Sequence, residues 1–149
     1  MGAKEKNLDA AIDYINLEAG HIIKYSSRVE TAPWGNTEQD SFINQAILIE
    51  TRTNPEPLLQ TLLDIETKIG RERREKWGPR KIDIDILYYE QWIVKQENIT
   101  IPHPYMQDRR FTLVPLQEIS PHWVHPVLLK TVTQMLEECK DEGEVTFLK

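Results

Sequence analysis

Ile82-Asp83-Ile84-Asp85-Ile86 sets apolar and acidic residues in strict alternation. A β-strand satisfies a period of two; an α-helix does not. The run Lys81–Tyr89 is therefore expected to be a strand, with its isoleucines on one face and its aspartates, with Leu87, on the other. Aspartate is disfavoured in strands, so one face reads as core and the other as a site. Neighbours on one strand face lie roughly 6.5–7 Å apart. Two carboxylates at that distance repel by about 2–3 kcal/mol at an effective dielectric of 20. Such a pair needs cations beside it.

The rest of the pattern places this strand in an order of elements. Leu8, Ala11, Ile12 and Ile15 recur at helical spacing and predict a helix over 7–19, with Gly20 at the place of a left-handed C-cap. Two extended segments follow, His21–Glu30 and Phe42–Thr51, separated by the loop chemistry of APWGNTEQDS. Pro55 and Pro57 open a second helix whose face runs through Leu58, Leu59, Leu62, Leu63, Glu66 and Ile69 and which Gly70 ends. Beyond the aspartate strand, QWIVKQENITI predicts a hairpin, IPHPYMQDRR a loop, FTLVPLQEI a short helix beginning near Pro115, and Leu128–Lys140 a last amphipathic helix. Helix, strand, strand, helix, strand is the order of an α+β domain with helices on one face of an antiparallel sheet.

At 149 residues, with 40% apolar and 28% charged residues, the chain has the size and make-up of one globular domain, expected to span 1–149. No apolar run is long enough to cross a bilayer, and the N-terminus lacks the apolar core of a signal peptide, so a cytoplasmic protein with no membrane partner is expected. The lone Cys139 cannot form an internal disulfide and reads as core filler on the last helix. A net charge of −6 argues against a nucleic-acid partner. Yet residues 70–81 carry a local charge of +4 and the remainder −10. An anion site inside an acidic protein points to a small phosphate-bearing ligand.

Converging carboxylates that leave room for water and phosphate are the usual protein share of a magnesium site in phosphoryl transfer. Arginines bind phosphate oxygens bidentately and stay charged. A lone D-x-D more often faces water, but here it follows directly on the basic loop and W-G-P-R. Neither G-x-x-x-x-G-K-[ST] nor G-x-G-x-x-G occurs, so side chains and metal must hold any nucleotide.

WGPRKIDIDILYY at 77–89 resembles the signature of the 6-hydroxymethyl-7,8-dihydropterin pyrophosphokinase family. So do YSSRVETAPWG at 25–35, FINQAILIET at 42–51, ETKIGR at 66–71 and IPHPYMQDRRFTLVPLQEI at 101–119. The resemblance implies a ferredoxin-like fold and diphosphate transfer from ATP, the co-substrate, to a pterin in folate biosynthesis, with two Mg2+ ions. It matches Asp83 and Asp85 to the metal ligands and Arg71 and Arg80 to arginines acting on the phosphates. Arg73, His103 and Arg109 match residues that hold ATP, Arg110 being a substitute for Arg109, and Trp77 belongs to a closing loop. On the pterin side it implies Asn44 as the hydrogen-bonding amide, Phe42 and Phe111 as the stacking aromatics, and Thr31, Ala32 and Trp34 in a wall of backbone contacts.

Two departures from the family pattern stand out. The family opens with a strand running into a G-S-N-L-G loop, whereas MGAKEKNL begins inside that loop. The expected fold thus lacks the leading strand, which reads as truncation, with a gap filled by another chain or a rearranged edge as the alternative. Pro104 and Tyr105 also replace an order in which an aromatic follows the histidine, which bears on one ATP contact. Bland readings stand beside these roles: Phe42 and Phe111 as core, His103, His122 and His125 as loop histidines, Trp92 and Trp123 as packing. The rival function is a non-enzymatic ferredoxin-like binding module, which Asp83 and Asp85 disfavour because they would repel phosphates without metal. A monomer is the default expectation.

Overall fold

A computed structural model of the chain describes residues 2–31, 42–72 and 82–148. It is α+β. In chain order the elements are α1 (Gly2–Glu18), β1 (His21–Tyr25), β2 (Val29–Thr31), β3 (Phe42–Asn44), β4 (Ile47–Glu50), α2 (Pro55–Glu72), β5 (Val94–Gln96), β6 (Ile99–Ile101), α3 (Arg110–Ile119), α4 (Val132–Glu138) and β7 (Val145–Phe147), with a 3₁₀ turn at Met106–Asp108. The strands form three small sheets, β1–β4, β3–β2–β7 and β5–β6. The chain divides into two compact units, Met1–Ile23 with Ile49–Ile86, and Lys24–Leu48 with Leu87–Lys149.

The first unit is built on α1 and α2. Ala11 and Ile15 of α1 and Leu58, Leu62, Ile65 and Ile69 of α2 are buried, the i, i+3, i+4 stripes that two packed helices require. α1 ends with the Gly20 amide donating to the Ile15 carbonyl at 3.1 Å. Gly20 does not adopt the left-handed conformation expected of it. What demands a glycine is close approach: a Cβ there would sit 2.3 Å from the Glu50 carbonyl oxygen. The Thr51 hydroxyl adds a bond to the Ala19 carbonyl at 2.8 Å. Gly70 does not end α2, which continues to Glu72; a Cβ at Gly70 would meet nothing within 4 Å, so no contact there forces the helix to stop.

The second unit holds a core of Ala46, Met106, Leu113, Leu116, Ile119, Val132 and Met135, with Leu87, Tyr88, Trp123 and Cys139 packed on its margin. Tyr88 stacks on Trp123 at 4.0 Å between centroids, its hydroxyl 2.8 Å from the Ser120 hydroxyl. Trp123 is thus packing, as expected, whereas Trp92 is exposed. α3 begins at Arg110, earlier than the sequence suggested, and carries Pro115 inside it. The helix tolerates the lost amide because Leu113, Leu116 and Ile119 bury the same face. α4 is shorter than its apolar stripe predicts. Thr131 caps it, accepting from the Gln134 amide while the Gln134 side chain accepts from the Thr131 amide. Residues 128–130 stay outside that box, with Leu129 at φ 58°. The hairpin β5–β6 is as expected, with Gln96 opposite Ile99 across Glu97-Asn98. β7 was not foreseen; it pairs antiparallel with β2, Thr31 opposite Val145.

Candidate functional site

The aspartate segment departs from expectation in one respect and meets it in another. Ile82–Tyr89 is in no β-ladder among the described residues. A ladder needs a neighbouring strand, and the backbone partners seen here lie elsewhere. The Ile84 amide donates to the Glu66 carboxylate of α2 at 2.5 Å, and the Leu87 carbonyl accepts from the His103 amide at 2.9 Å. The alternation nevertheless survives: Ile82, Ile84 and Ile86 are half-buried, and Asp83 and Asp85 are exposed between them. Both carboxylates therefore reach solvent from the same chain segment. Arg71 is exposed in the last turn of α2, in the same unit. Ala32, Trp34, Arg73, Trp77 and Arg80 lie outside the described residues.

The donor set suits magnesium. Carboxylate oxygens are hard ligands, and this ion is commonly bound by one or two carboxylates with water and substrate phosphates completing the shell. Among the described residues no group of three or more His, Cys, Asp or Glu side chains forms a closed metal cage.

A second set of candidates lies in the other unit. His103 accepts the Tyr105 amide on Nδ1 at 3.2 Å, so in its neutral form the ring proton sits on Nε2. The Arg109 guanidinium stands over the Tyr105 ring at 5.4 Å and the Phe111 ring at 5.9 Å, both within cation–π range. His103 meets Tyr105 edge-on at 6.2 Å. Tyr105 thus organises both neighbours, a role the sequence reading did not give it. Its signal was an aromatic two residues past the histidine and four before the arginine. Arg110 opens α3, with its amide on the Asp141 carboxylate at 3.1 Å. A cavity of about 230 Å³ is lined by Lys95, Thr100, His103, Gln107, His125 and neighbours.

On the sheet of the same unit, Thr31 and Phe42 are direct partners across β2 and β3, and Asn44 lies two residues beyond Phe42 on the same strand face. Phe42 is 57% exposed and Asn44 half-buried. Half-buried Phe111 comes from α3, which packs against β2 and β3. The Thr31 hydroxyl is buried with no hydrogen-bond partner among the described residues, an uncommon state for a buried polar atom.

His122 and His125 are not a metal pair. His122 is exposed, while His125 is buried, its Nδ1 accepting the Val127 and Leu128 amides at 3.1 Å each. Burial lowers the His125 pKa below its ordinary 6.5.

The sequence model of the 7,8-dihydro-6-hydroxymethylpterin-pyrophosphokinase family matches residues 1–121. This chain belongs to that family. A 2-amino-4-hydroxy-6-hydroxymethyldihydropteridine pyrophosphokinase of Synechocystis is 44% identical over 139 residues, covering 93% of this chain and 71% of the relative. Proteins of the same name from Methylorubrum extorquens and Bacillus subtilis are 42% and 39% identical, covering 83% and 80% of this chain and 79% and 72% of theirs. The family's enzymes are pyrophosphokinases, and the candidate residues above are to be weighed against that chemistry. Among the described residues no helix is long and apolar enough to cross a membrane.

Proposed function

We propose that this chain transfers the terminal diphosphate of Mg-ATP to 6-hydroxymethyl-7,8-dihydropterin, releasing AMP, in folate biosynthesis. The observation that carries the reading is the pair of exposed carboxylates, Asp83 and Asp85, alternating with half-buried isoleucines in a member of this family. The pterin hydroxymethyl oxygen attacks the β-phosphorus, the bond from that phosphorus to the α,β-bridging oxygen breaks, AMP departs, and the hydroxyl proton is lost to solvent. Magnesium, with two ions as the family suggests, supplies charge neutralisation along the triphosphate. Asp83 and Asp85 hold it, and their oxygen-only, solvent-facing donor set supports that assignment.

Arg71 and Arg80 neutralise charge growing on the bridging oxygen; Arg71 is supported by its exposure at the end of α2. Arg73, His103 and Arg109 bind ATP, and Trp77 and Trp34 belong to segments that close over it. Of Arg109 and Arg110, the aromatic support under the Arg109 guanidinium favours Arg109. Asn44 reads the polar edge of the pterin, and Phe42 and Phe111 stack on its faces. Ala32 and Thr31 line it, and the Thr31 hydroxyl, buried with no hydrogen-bond partner among the described residues, supports a polar ligand there. Alignment does most of the work in such a transfer, so no strong protein base is needed.

We read 1–149 as one pyrophosphokinase domain, which the match of the family model over residues 1–121 supports. We read the α+β fold as the ferredoxin-like arrangement of the family, with α1 rather than a strand first in the order, and the protein as a cytoplasmic monomer with no nucleic-acid partner. Incubation with ATP, magnesium and the hydroxymethyl pterin tests the reaction. AMP as the nucleotide product is the expected result. ADP would mean an ordinary kinase, and no turnover would favour a binding module.

A further inference from the structure

Glu66 stands out on α2. Leu58, Leu62, Ile65 and Ile69 are buried along the apolar stripe, and a carboxylate next to Ile65 lies half-buried beside that face. Charged groups at such positions need a partner. One partner is the backbone amide of Ile84, held at 2.5 Å by Glu66 Oε2. Ile84 is the residue between Asp83 and Asp85. In an extended segment the side chains stand across the plane of the backbone amides. Fixing one amide therefore fixes the rotation of the segment about its own axis, and with it the side to which both neighbouring carboxylates point. The segment has no ladder among the described residues to do this instead.

We propose that Glu66 is a positioning residue for diphosphate transfer: its carboxylate holds the Ile84 amide so that Asp83 and Asp85 face one side together. The role rests on the reading of those aspartates as ligands of the magnesium that accompanies ATP. Toward the Ile84 amide Glu66 acts as a hydrogen-bond acceptor. Glutamine keeps an acceptor oxygen at the same reach and discards the charge; alanine discards both.

The test uses the full chain with Glu66→Ala, Glu66→Gln and Asp85→Ala, each checked for folding by far-UV circular dichroism. In the metal-free protein, the Ile84 amide is expected to exchange slowly with solvent in the parent and in Glu66→Gln, and to lose that protection in Glu66→Ala. AMP formation is expected to fall by about a hundredfold in kcat in Glu66→Ala, the scale of a misplaced reacting group, with KM for the pterin unchanged, and to be largely restored in Glu66→Gln. A Glu66→Gln variant as impaired as Glu66→Ala would overturn the role, since charge would then be the requirement. Equally fast Ile84 exchange in the parent and in Glu66→Ala would also overturn it. Near-normal AMP formation by Asp85→Ala, with the Ile84 amide still protected, would instead sink the ligand reading and remove what Glu66 is there to position.

Discussion

Two stretches that carry candidate residues, Ile82–Ile86 in one unit and Pro102–Ile119 in the other, are held in opposite ways. In Ile82–Ile86 the Glu66 side-chain carboxylate grips the central amide, and the isoleucines are only half-buried. In Pro102–Ile119 successive amides turn back on nearby carbonyls: Met106 to His103, Asp108 to Tyr105, Arg109 to Met106, Leu113 to Arg109. Met106 and Leu113 beneath them are fully buried. Segments with few buried contacts and few backbone bonds open at low free energy, whereas core-anchored ones open only with the whole domain. On the proposed function this is a division of labour: Phe111, His103 and Arg109 ride on a rigid frame, and the proposed metal ligands Asp83 and Asp85 on an adaptable one.

The largest effect should come from the loosely held side. Asp85→Ala is expected to lower AMP formation on the order of a thousandfold, the scale seen when one electrostatic stabiliser of a transition state is removed. The thermal midpoint should barely move, because the side chain is exposed and outside any ladder among the described residues. A large drop in melting temperature would break the comparison by showing that this segment is structural.

Next comes the rigid side. Met106 is fully buried at the centre of its cluster, and Met106→Ala should cost about 2–5 kcal/mol of stability, the usual range for emptying such a site. Urea unfolding followed by tryptophan fluorescence measures it. A loss under about 1 kcal/mol, near the smallest seen for buried truncations, would mean that the loop from His103 to Arg109 is not anchored by its own core.

How far the sequence spoke follows the same divide. The helices of the first unit were legible because a 3.6-residue period repeats through Ala11, Ile15, Leu58, Leu62, Ile65 and Ile69. The alternation of Ile82 to Ile86 was legible as burial, but not as pairing, because pairing depends on a neighbour that no local pattern names. The strands lying wholly in the second unit have three residues each, too short for a period, and β7 escaped for that reason. The start of α4 was misread by following the apolar stripe back to Leu128, although Thr131 and Gln134 spell a capping box. Among the candidates, residue types and spacing pointed to Asp83 and Asp85, whereas His103 and Arg109 came from the resemblance to the family. Tyr105 and Glu66 act through geometry, a ring under a guanidinium and a carboxylate on a backbone amide, which appears only once the chain is folded.

A smaller, pH-bounded effect is expected at His125, which helps wall the cavity beside His103 and Lys95. Its Nδ1 accepts two amides and so must be unprotonated, and burial lowers its pKa. As pH falls through the unfolded value of about 6.5, the unfolded chain takes up this proton before the folded one does. Stability is thus fully present above that pH and declines below it until the lowered folded pKa is passed. Comparing urea midpoints at pH 7.5 and about pH 5.5, in the parent and in His125→Asn, isolates the term. The asparagine oxygen can still accept an amide but does not titrate, so the variant should lose part of the acid sensitivity. An unchanged pH dependence would assign that sensitivity to other groups.

The smallest effect sharpens the comparison from the turn that follows Tyr89. Glu90 adopts φ 50°, a region that a side chain with a Cβ enters at a cost of roughly 1 kcal/mol. Its carbonyl accepts the Trp123 indole N–H at 3.0 Å, and Trp123 is stacked on Tyr88, so the strained residue is held in place by the packed margin of the second unit. Glu90→Gly removes the steric penalty and keeps the carbonyl, but it also frees the unfolded chain. The two terms oppose each other, and a change within about 1 kcal/mol in either direction is expected in urea unfolding. A loss well beyond that would mean that the Glu90 side chain itself anchors the turn. The segment leaving the aspartates would then be gripped more firmly at its far end than at Ile84.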